Sequence, residues 1–288
     1  MIPQTPVGSL PRSVELQNAY EEYSHGNVKK ADLDKIIDLE IRDVVKNYEK
    51  IDGNPIITSG EVEKPNFLTY FLQDGFIELG KPNQEGRKGF TIEFEGHHAR
   101  EMGVLTKELT PFKYAHYGDE WLAKLAFYAN KPFKATVIAP SAVSLIYRDD
   151  IEGYSKEQFH EDLINECVLD IRKCLAAGAS EVGMDMTEAT YALKVDSSGA
   201  VLQDMIGLVN RVCDNLNDYE LDKITLHTCF GADNFTNHNY SNFQDVYPVL
   251  LQSKIKNFHL PFASLGEGNF EEILKVLNEY SAGKNLYL

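Results

Sequence analysis

The chain has 288 residues, 43% of them hydrophobic and 25% charged, with 44 acidic against 28 basic side chains and a formal net charge of −16. This is the composition of an ordinary globular protein with room for a large core. With no run of Lys or Arg long enough to make a positive stripe, nucleic acid and anionic membrane surfaces are not expected as partners.

No apolar run reaches the roughly 20 residues that span a bilayer, and the opening MIPQTPVGSLPRS lacks the charged-then-apolar order of a secretory signal. Four cysteines do not make a disulfide framework. Cys167 and Cys174 fall in one helical pattern and Cys213 in another, where buried free thiols are the default, so a cytoplasmic, reducing setting is expected. Only Cys229 lies at a strand end, beside a histidine.

Seven runs read as strands: TPVGSL (5–10), PIITSGE (55–61), PFKATVIAPS (132–141), SEVGMDMTE (180–188), KITLHTC (223–229), KNFHLPFA (256–263) and KNLYL (284–288). Helical patterns lie between them. KADLDKIIDLEIRDVVKNYEKIDG repeats apolar residues at helical spacing and stops at Gly53. SKEQFHEDLINECVLDIRKCLAAGA opens on Ser155 as N-cap and ends at Gly178. Several strand runs are apolar almost throughout, which predicts strands buried on both faces of a parallel sheet. The stretch 75–100 alternates with period two around a Gly-rich turn and reads as a β-hairpin insertion. No linker or repeat divides the chain, so residues 1–288 read as a single domain of βα units, either a barrel or a doubly wound sheet. A dinucleotide fold is disfavoured because no G-x-G-x-x-G follows a strand.

Ser9, Glu61, Asp185, His227 and Cys229 fall at the C-terminal ends of candidate strands. In a barrel those ends converge on one mouth, where active sites lie. Side chains two apart on a strand share a face, so His227 and Cys229 point the same way. Imidazole nitrogen and thiolate sulfur are ligands that zinc accepts, but the spacing alone is weak evidence and favours a satisfied strand pair over a metal site. Ser9 could instead cap the following helix, and Glu61 could pair with a nearby Lys or Arg.

TPVGSLPRS, ITSGEVEKPNFLTYF, EVGMDMTEA and LHTCFG occur in the order and approximate spacing of the cobalamin-independent methionine synthase family. From residue 5 onward the chain resembles that family's shorter, single-barrel members, and HTC-x-G followed by Asp233 and His238 resembles one subgroup. The resemblance implies an α/β fold of the TIM (β/α)8 barrel type. It further implies a zinc-dependent methyltransferase acting on a thiol such as homocysteine to give methionine, with a methylated folate or methyl-corrinoid as donor. By the same resemblance His227 and Cys229 are metal ligands, and Asp185 and Glu61 are catalytic and hold the substrate ammonium. Ser9 contacts the substrate carboxylate, with Asp233 and His238 also substrate-binding. VIAPSAVSLIYRDD resembles a loop near the methyl donor, with Pro140, Ser141 and Ser144 shaping it. The expected partners are a small thiol amino acid and a methyl donor, with no nucleic acid and no membrane; a homo-oligomer is compatible.

Two departures from the family pattern stand out. NFHLPFASLGEGNF puts Pro261 where the family has its third zinc ligand, a Glu, leaving His259 or Glu267 as substitutes. The family's fourth ligand, a Cys after strand eight, has no counterpart, because no cysteine follows Cys229 and KNLYL reads as strand seven. The expectation is therefore a barrel lacking its last βα unit, supplied either by further sequence or by another chain. A catalytically silent relative that binds a small amino acid is the alternative. A decarboxylase-type barrel, which needs no zinc, is disfavoured by the H-x-C pair and by the Ser9, Glu61 and Asp185 set.

Overall fold

The computed structural model describes residues 4–51, 53, 56–64, 66–73, 79–80, 91–94, 96, 99–233, 236–237, 243–262 and 270–288. The first half holds α1 (Val14–Ser24), α2 (Lys30–Glu49), the strands β1 (Thr91–Glu93) and β2 (Ala99–Glu101), and α3 (Leu122–Tyr128). There follow β3 (Lys134–Ile138), α4 (Pro140–Ser144), α5 (Lys156–Ala176), β4 (Glu181–Asp185), α6 (Ala189–Val195), α7 (Ala200–Asp214), α8 (Asp218–Leu221) and β5 (Ile224–His227). The short strands β6 (Ala232–Asp233) and β7 (Thr236–Asn237) precede α9 (Phe243–Leu250), β8 (Asn257–His259), α10 (Phe270–Tyr280) and β9 (Asn285–Tyr287).

Five strands form a parallel sheet in the order β3-β4-β5-β8-β9, so spatial order follows chain order without reversal. Crossovers between parallel strands are right-handed, and an unreversed order puts every connecting helix on one face. A doubly wound sheet reverses direction at a switch point; this one does not. Thr5 and Val7 line one cavity of about 180 Å³ together with Tyr287 and Leu288, so the N-terminal segment faces the last strand across it.

The strands are buried, but they are not apolar on both faces as expected. Ala135 and Val137, Val182 and Met184, Ile224 and Leu226, and Phe258 point into the core beneath the helices. The alternate positions carry Lys134, Thr136, Gly183, Asp185, Thr225, His227, Asn257 and His259, a mostly polar face. Period-two geometry separates the two sets. On the polar face Lys134 pairs with Glu181 at 2.8 Å. Its side chain passes over Gly183, where an added Cβ would lie 2.7 Å from Lys134 Cε.

The first two expected strands are not regular strands. Ile57 makes a single parallel bridge to Phe133, and Pro55 lies outside the described residues. Residues 5–10 are held by isolated bonds: Lys134 Nζ of β3 donates to Pro6 O at 3.3 Å, Thr58 Oγ1 donates to Gly8 O at 2.9 Å, and Leu10 N donates to Gly60 O at 2.9 Å. The cause is local. Pro6 has no N–H to give a ladder, and Gly60 and Glu61 turn the chain with φ of +72° and +54°. Gly8 permits the close approach, since a Cβ there would meet Thr136 Cγ2 at 2.7 Å.

Within 75–100, β1 and β2 pair antiparallel, while residues 75–78 and 81–90 lie outside the described residues. Tyr191 and Lys194 of α6 hold this pair through Thr91 O at 2.8 Å and Glu93 at 2.6 Å. Helix α5 carries a reciprocal cap between Ser155 and Gln158, and Gly178 follows it at φ +98°. Cys167, Cys174 and Cys213 are buried free thiols, and Cys229 is half-buried. Among the described residues no helix is long and apolar enough to cross a membrane.

Leu226 is fully buried between the sheet and the helices, and Phe127 is 81% exposed. Leu226→Ala is expected to lower unfolding free energy by about 2–5 kcal/mol, and Phe127→Ala to leave it within about 0.5 kcal/mol. Urea denaturation of the two variants checks the difference.

Candidate functional site

Register brings the chemistry together. Asp185 pairs with His227, His227 with His259, and His259 with Tyr287, in one row across β4, β5, β8 and β9. Registered neighbours project from the same face, so the row lies at the C-terminal edge of the polar face. A cavity of about 290 Å³ opens there, and Ser9, Glu61, Asp185, His227 and Cys229 all line it. Its opposite wall is apolar, with Phe67, Leu68, Ile92, Phe94 and Met102, and Arg100 of β2 adds a guanidinium. Ile92 and Arg100 come from the β1–β2 pair, so that pair contributes to the wall of the cavity.

Glu61 is the most constrained of these residues. It is 6% exposed and sits at φ +54°, a left-handed conformation that non-glycine residues adopt only under constraint. Lys64 Nζ donates to its Oε1 at 2.8 Å, and the hydroxyls of Ser9 and Thr136 also donate to the carboxylate. Burial opposes the charge, but the Lys64 ammonium and the bonds from Ser9 and Thr136 override it and hold the carboxyl down to about 2. The pairing of Glu61 with a nearby cation is thus present, with Lys64 as the partner. Ser9 does not cap α1; Ser13 does, through Leu16 N.

The second carboxylate is also engaged. His227 Nδ1 lies 2.8 Å from Asp185 Oδ1. Burial disfavours the imidazolium, but the Asp185 carboxylate and the Cys229 sulfur override it and raise His227 to about 10. Cys229 Sγ accepts a hydrogen bond from Gly231 N at 3.3 Å. A carboxylate on the far ring nitrogen is also how proteins orient metal-binding histidines.

His259 stands apart from this pair. It is 3% exposed, its ring centroid is 5.0 Å from that of Tyr287, and its Nε2 has no hydrogen-bond partner. Burial, and then the nearby Lys134 and His227 charges, push it down to about 3, so it is a neutral imidazole. It lines the 180 Å³ cavity, which His227 and Cys229 share. Among the described residues no three His, Cys, Asp or Glu side chains are arranged to hold a metal ion. The donors His227 and Cys229 suit zinc in kind and fall short of a site in number.

The remaining expected positions are quickly placed. Pro261 follows β8, lines the smaller cavity, and accepts a hydrogen bond from Tyr247 Oη on its carbonyl at 2.6 Å. His238, Glu267 and the side chain of Asp233 lie outside the described residues. Pro140, Ser141 and Ser144 line neither of these two cavities. Sequence reasoning did not single out Thr136, which binds both Glu61 and Lys64, nor Arg100. The one available signal for Lys64 was its position three residues after Glu61.

No family model matches the chain. Over 78 residues it is 33% identical to the 5-methyltetrahydropteroyltriglutamate–homocysteine methyltransferase of Pasteurella multocida (strain Pm70), and 32% identical to that of Haemophilus influenzae (strain PittEE). Each match covers 26% of this chain and 10% of the relative. Among solved structures, the putative vitamin-B12-independent methionine synthase of Listeria monocytogenes superposes with a TM-score of 0.60 at 20% identity, over 97% of this chain and 87% of that one. The B12-independent methionine synthase of Shewanella sp. W3-18-1, in complex with selenomethionine, gives 0.63 at 16% identity, over 99% and 89%. At these identities the structural likeness speaks for the fold.

In the metal-free protein His227 is expected to stay protonated through neutral pH. Its elevated pKa contributes stability that is fully present below its ordinary value of 6.5 and is lost as pH rises through about 10. Asp185→Asn removes one of its two supports and leaves Cys229, so His227 is expected to deprotonate at a lower pH than in wild type. Imidazole NMR titration of wild type and variant checks this, and an unchanged His227 curve contradicts it.

Proposed function

We propose that this chain, a relative of the cobalamin-independent methionine synthase family, binds a homocysteine-class amino acid in its 290 Å³ cavity and transfers a methyl group to the sulfur. The observation that carries the reading is the convergence of Ser9, Glu61, Asp185, His227 and Cys229 on that one cavity. The fold in this reading is a TIM-type (β/α)8 barrel, one domain over residues 1–288, with the β1–β2 hairpin as an insertion. The unreversed strand order and the cavity shared by the N-terminal segment and β9 support it.

The residues divide the work by chemistry. Asp185 and Glu61 take the ligand ammonium, since charge-assisted hydrogen bonds to carboxylate are the strong ones. Ser9 and its backbone take the carboxylate, Asp233 and His238 add further substrate contacts, and the side-chain sulfur lies toward His227 and Cys229. Phe67, Leu68 and Met102 shield the methylenes from water. The methyl donor is a methylated folate, the class for which the matched methyltransferases are named, or a methyl-corrinoid carrier. The setting is cytoplasmic.

Zinc is the expected cofactor of this chemistry, but the described donors do not complete its ligand set. That shortfall favours a second reading, a relative that binds the amino acid without turning it over.

Calorimetric titration with methionine is the test of binding. Wild type is expected to bind, and Asp185→Asn to bind about tenfold to a hundredfold more weakly, the loss of a charged hydrogen bond of about 1.5–3 kcal/mol. No binding to wild type, or equal binding to both proteins, contradicts the pocket. Methyl transfer from a methylated folate to homocysteine with added zinc then separates transferase from silent binder.

A further inference from the structure

We infer that Lys64 is a positioning residue of the amino-acid pocket, holding the Glu61 carboxylate ionised and aimed at the cavity before a ligand arrives. The inference rests on the reading above, in which Glu61 meets the ligand ammonium.

The geometry leaves Lys64 nothing else to do. Its side chain is 6% exposed, and its three protons have three acceptors: Glu61 Oε1 at 2.8 Å, Thr136 O at 2.7 Å and Thr136 Oγ1 at 2.9 Å. The ammonium also sits 4.6 Å from the centroid of the Tyr70 ring, a cation–π contact that anchors it from the other side. Thr136 donates in turn to Glu61, which closes a ring of hydrogen bonds around the carboxylate. The backbone is held as well: Arg12 donates to Glu61 O at 3.3 Å and also to Lys64 O, bracketing the left-handed turn at Glu61.

The cation is needed because of where the carboxylate lies. Without Lys64 the hydroxyls of Ser9 and Thr136 still donate to the carboxylate, but two neutral donors offset its burial less than a paired ammonium does, so it takes up a proton more readily. A neutral carboxyl keeps its shape but loses the charge that makes an ammonium bind tightly. The other titratable groups around the pair do not replace Lys64. Glu63 is a second carboxyl beside Glu61, and Tyr70, Asp170, Cys174 and Asp185 around Lys64 are all acids. Of the nearby cations, Arg12 spends its guanidinium on the backbone carbonyls of Glu61, Val62 and Lys64, His227 is paired with Asp185, and Arg100 belongs to the opposite wall of the cavity. Lys64 is therefore the cation that keeps Glu61 charged.

Two measurements on wild type, Lys64→Met, Lys64→Arg and Glu61→Gln test this. The first is calorimetric titration with methionine between about pH 5 and pH 8. In wild type Glu61 stays charged throughout and adds no pH dependence. In Lys64→Met affinity is expected to fall about tenfold per pH unit below the new, raised Glu61 pKa. Lys64→Arg is expected to restore the wild-type profile, and Glu61→Gln to bind weakly without that added slope.

The second is thermal denaturation of ligand-free protein against pH, read as the difference from wild type so that Glu188 cancels. It is also read against Glu61→Gln/Lys64→Met, which loses the same Lys64 charge beside Glu63 and Asp170, so that the remaining difference belongs to Glu61. In wild type the Glu61 contribution is present above its ordinary value of 4.5 and is lost as pH falls through about 2. In Lys64→Met the sign reverses, and stability is lost as pH rises through the raised Glu61 pKa. A folded Lys64→Met protein with wild-type pH profiles in both measurements overturns the inference. If Lys64→Met does not fold, the double variant Glu61→Gln/Lys64→Met buries no unpaired charge and takes its place. It should bind methionine no more weakly than Glu61→Gln alone, and a further additive loss overturns the inference. If wild type binds no methionine, the amino-acid reading fails, and the ligand-free melting curves decide the role of Lys64 on their own.

Discussion

Parallel register between β4, β5, β8 and β9 sets Asp185, His227, His259 and Tyr287 side by side, and the rest of the site depends on that row. A one-residue slip in any strand would turn its member of the row into the helical core and bring an apolar neighbour to the cavity. The apolar residues Met184, Leu226 and Phe258 prevent that slip, because each fills the core one position before a row member. Packing on one face of the sheet thereby fixes the chemistry on the other.

A polar interior face carries a requirement of its own. Charges removed from water must be paired, or they neutralise. Lys134 is paired with Glu181, Lys64 with Glu61 and His227 with Asp185. Each pair joins two parts of the chain or spans a turn, so the electrostatics also fix geometry. Glu188 has no such cation beside it. Burial pushes its carboxyl up to about 7, with the Ser141 hydroxyl offsetting only part of the rise. His259 follows the same rule in the opposite direction, giving up its charge beneath Lys134 and His227.

Much of this was legible in the sequence, for reasons that differ by residue. The H-x-C spacing places His227 and Cys229 on one face where the backbone stays extended; β5 ends at His227, yet the two line both cavities together. Ser155 with Gln158 announces the start of α5 through local capping alone. The alternation of KITLHTC and SEVGMDMTE is visible once the polar positions are aligned in register, although it reads as uniform hydrophobicity when each run is taken singly. Residues 5–10 and 56–61 carry the composition of strands and do not form regular ones. Pro6 and the left-handed turn at Gly60 and Glu61 are backbone effects that a hydropathy pattern does not register. Thr136 was hidden for a different reason: its partners Glu61 and Lys64 lie more than seventy residues earlier, and only the sheet brings them together.

The central claim is that one cavity at the C-terminal edge of the sheet holds an amino acid by its ammonium and presents its sulfur to His227 and Cys229. A crystal structure of the protein with methionine tests it most directly. The account predicts the ammonium within hydrogen-bond distance of Asp185 and Glu61, with the sulfur beside the His227 and Cys229 pair. Methionine bound outside this cavity, or bound with its sulfur toward the β1–β2 wall and its ammonium away from both carboxylates, would contradict it.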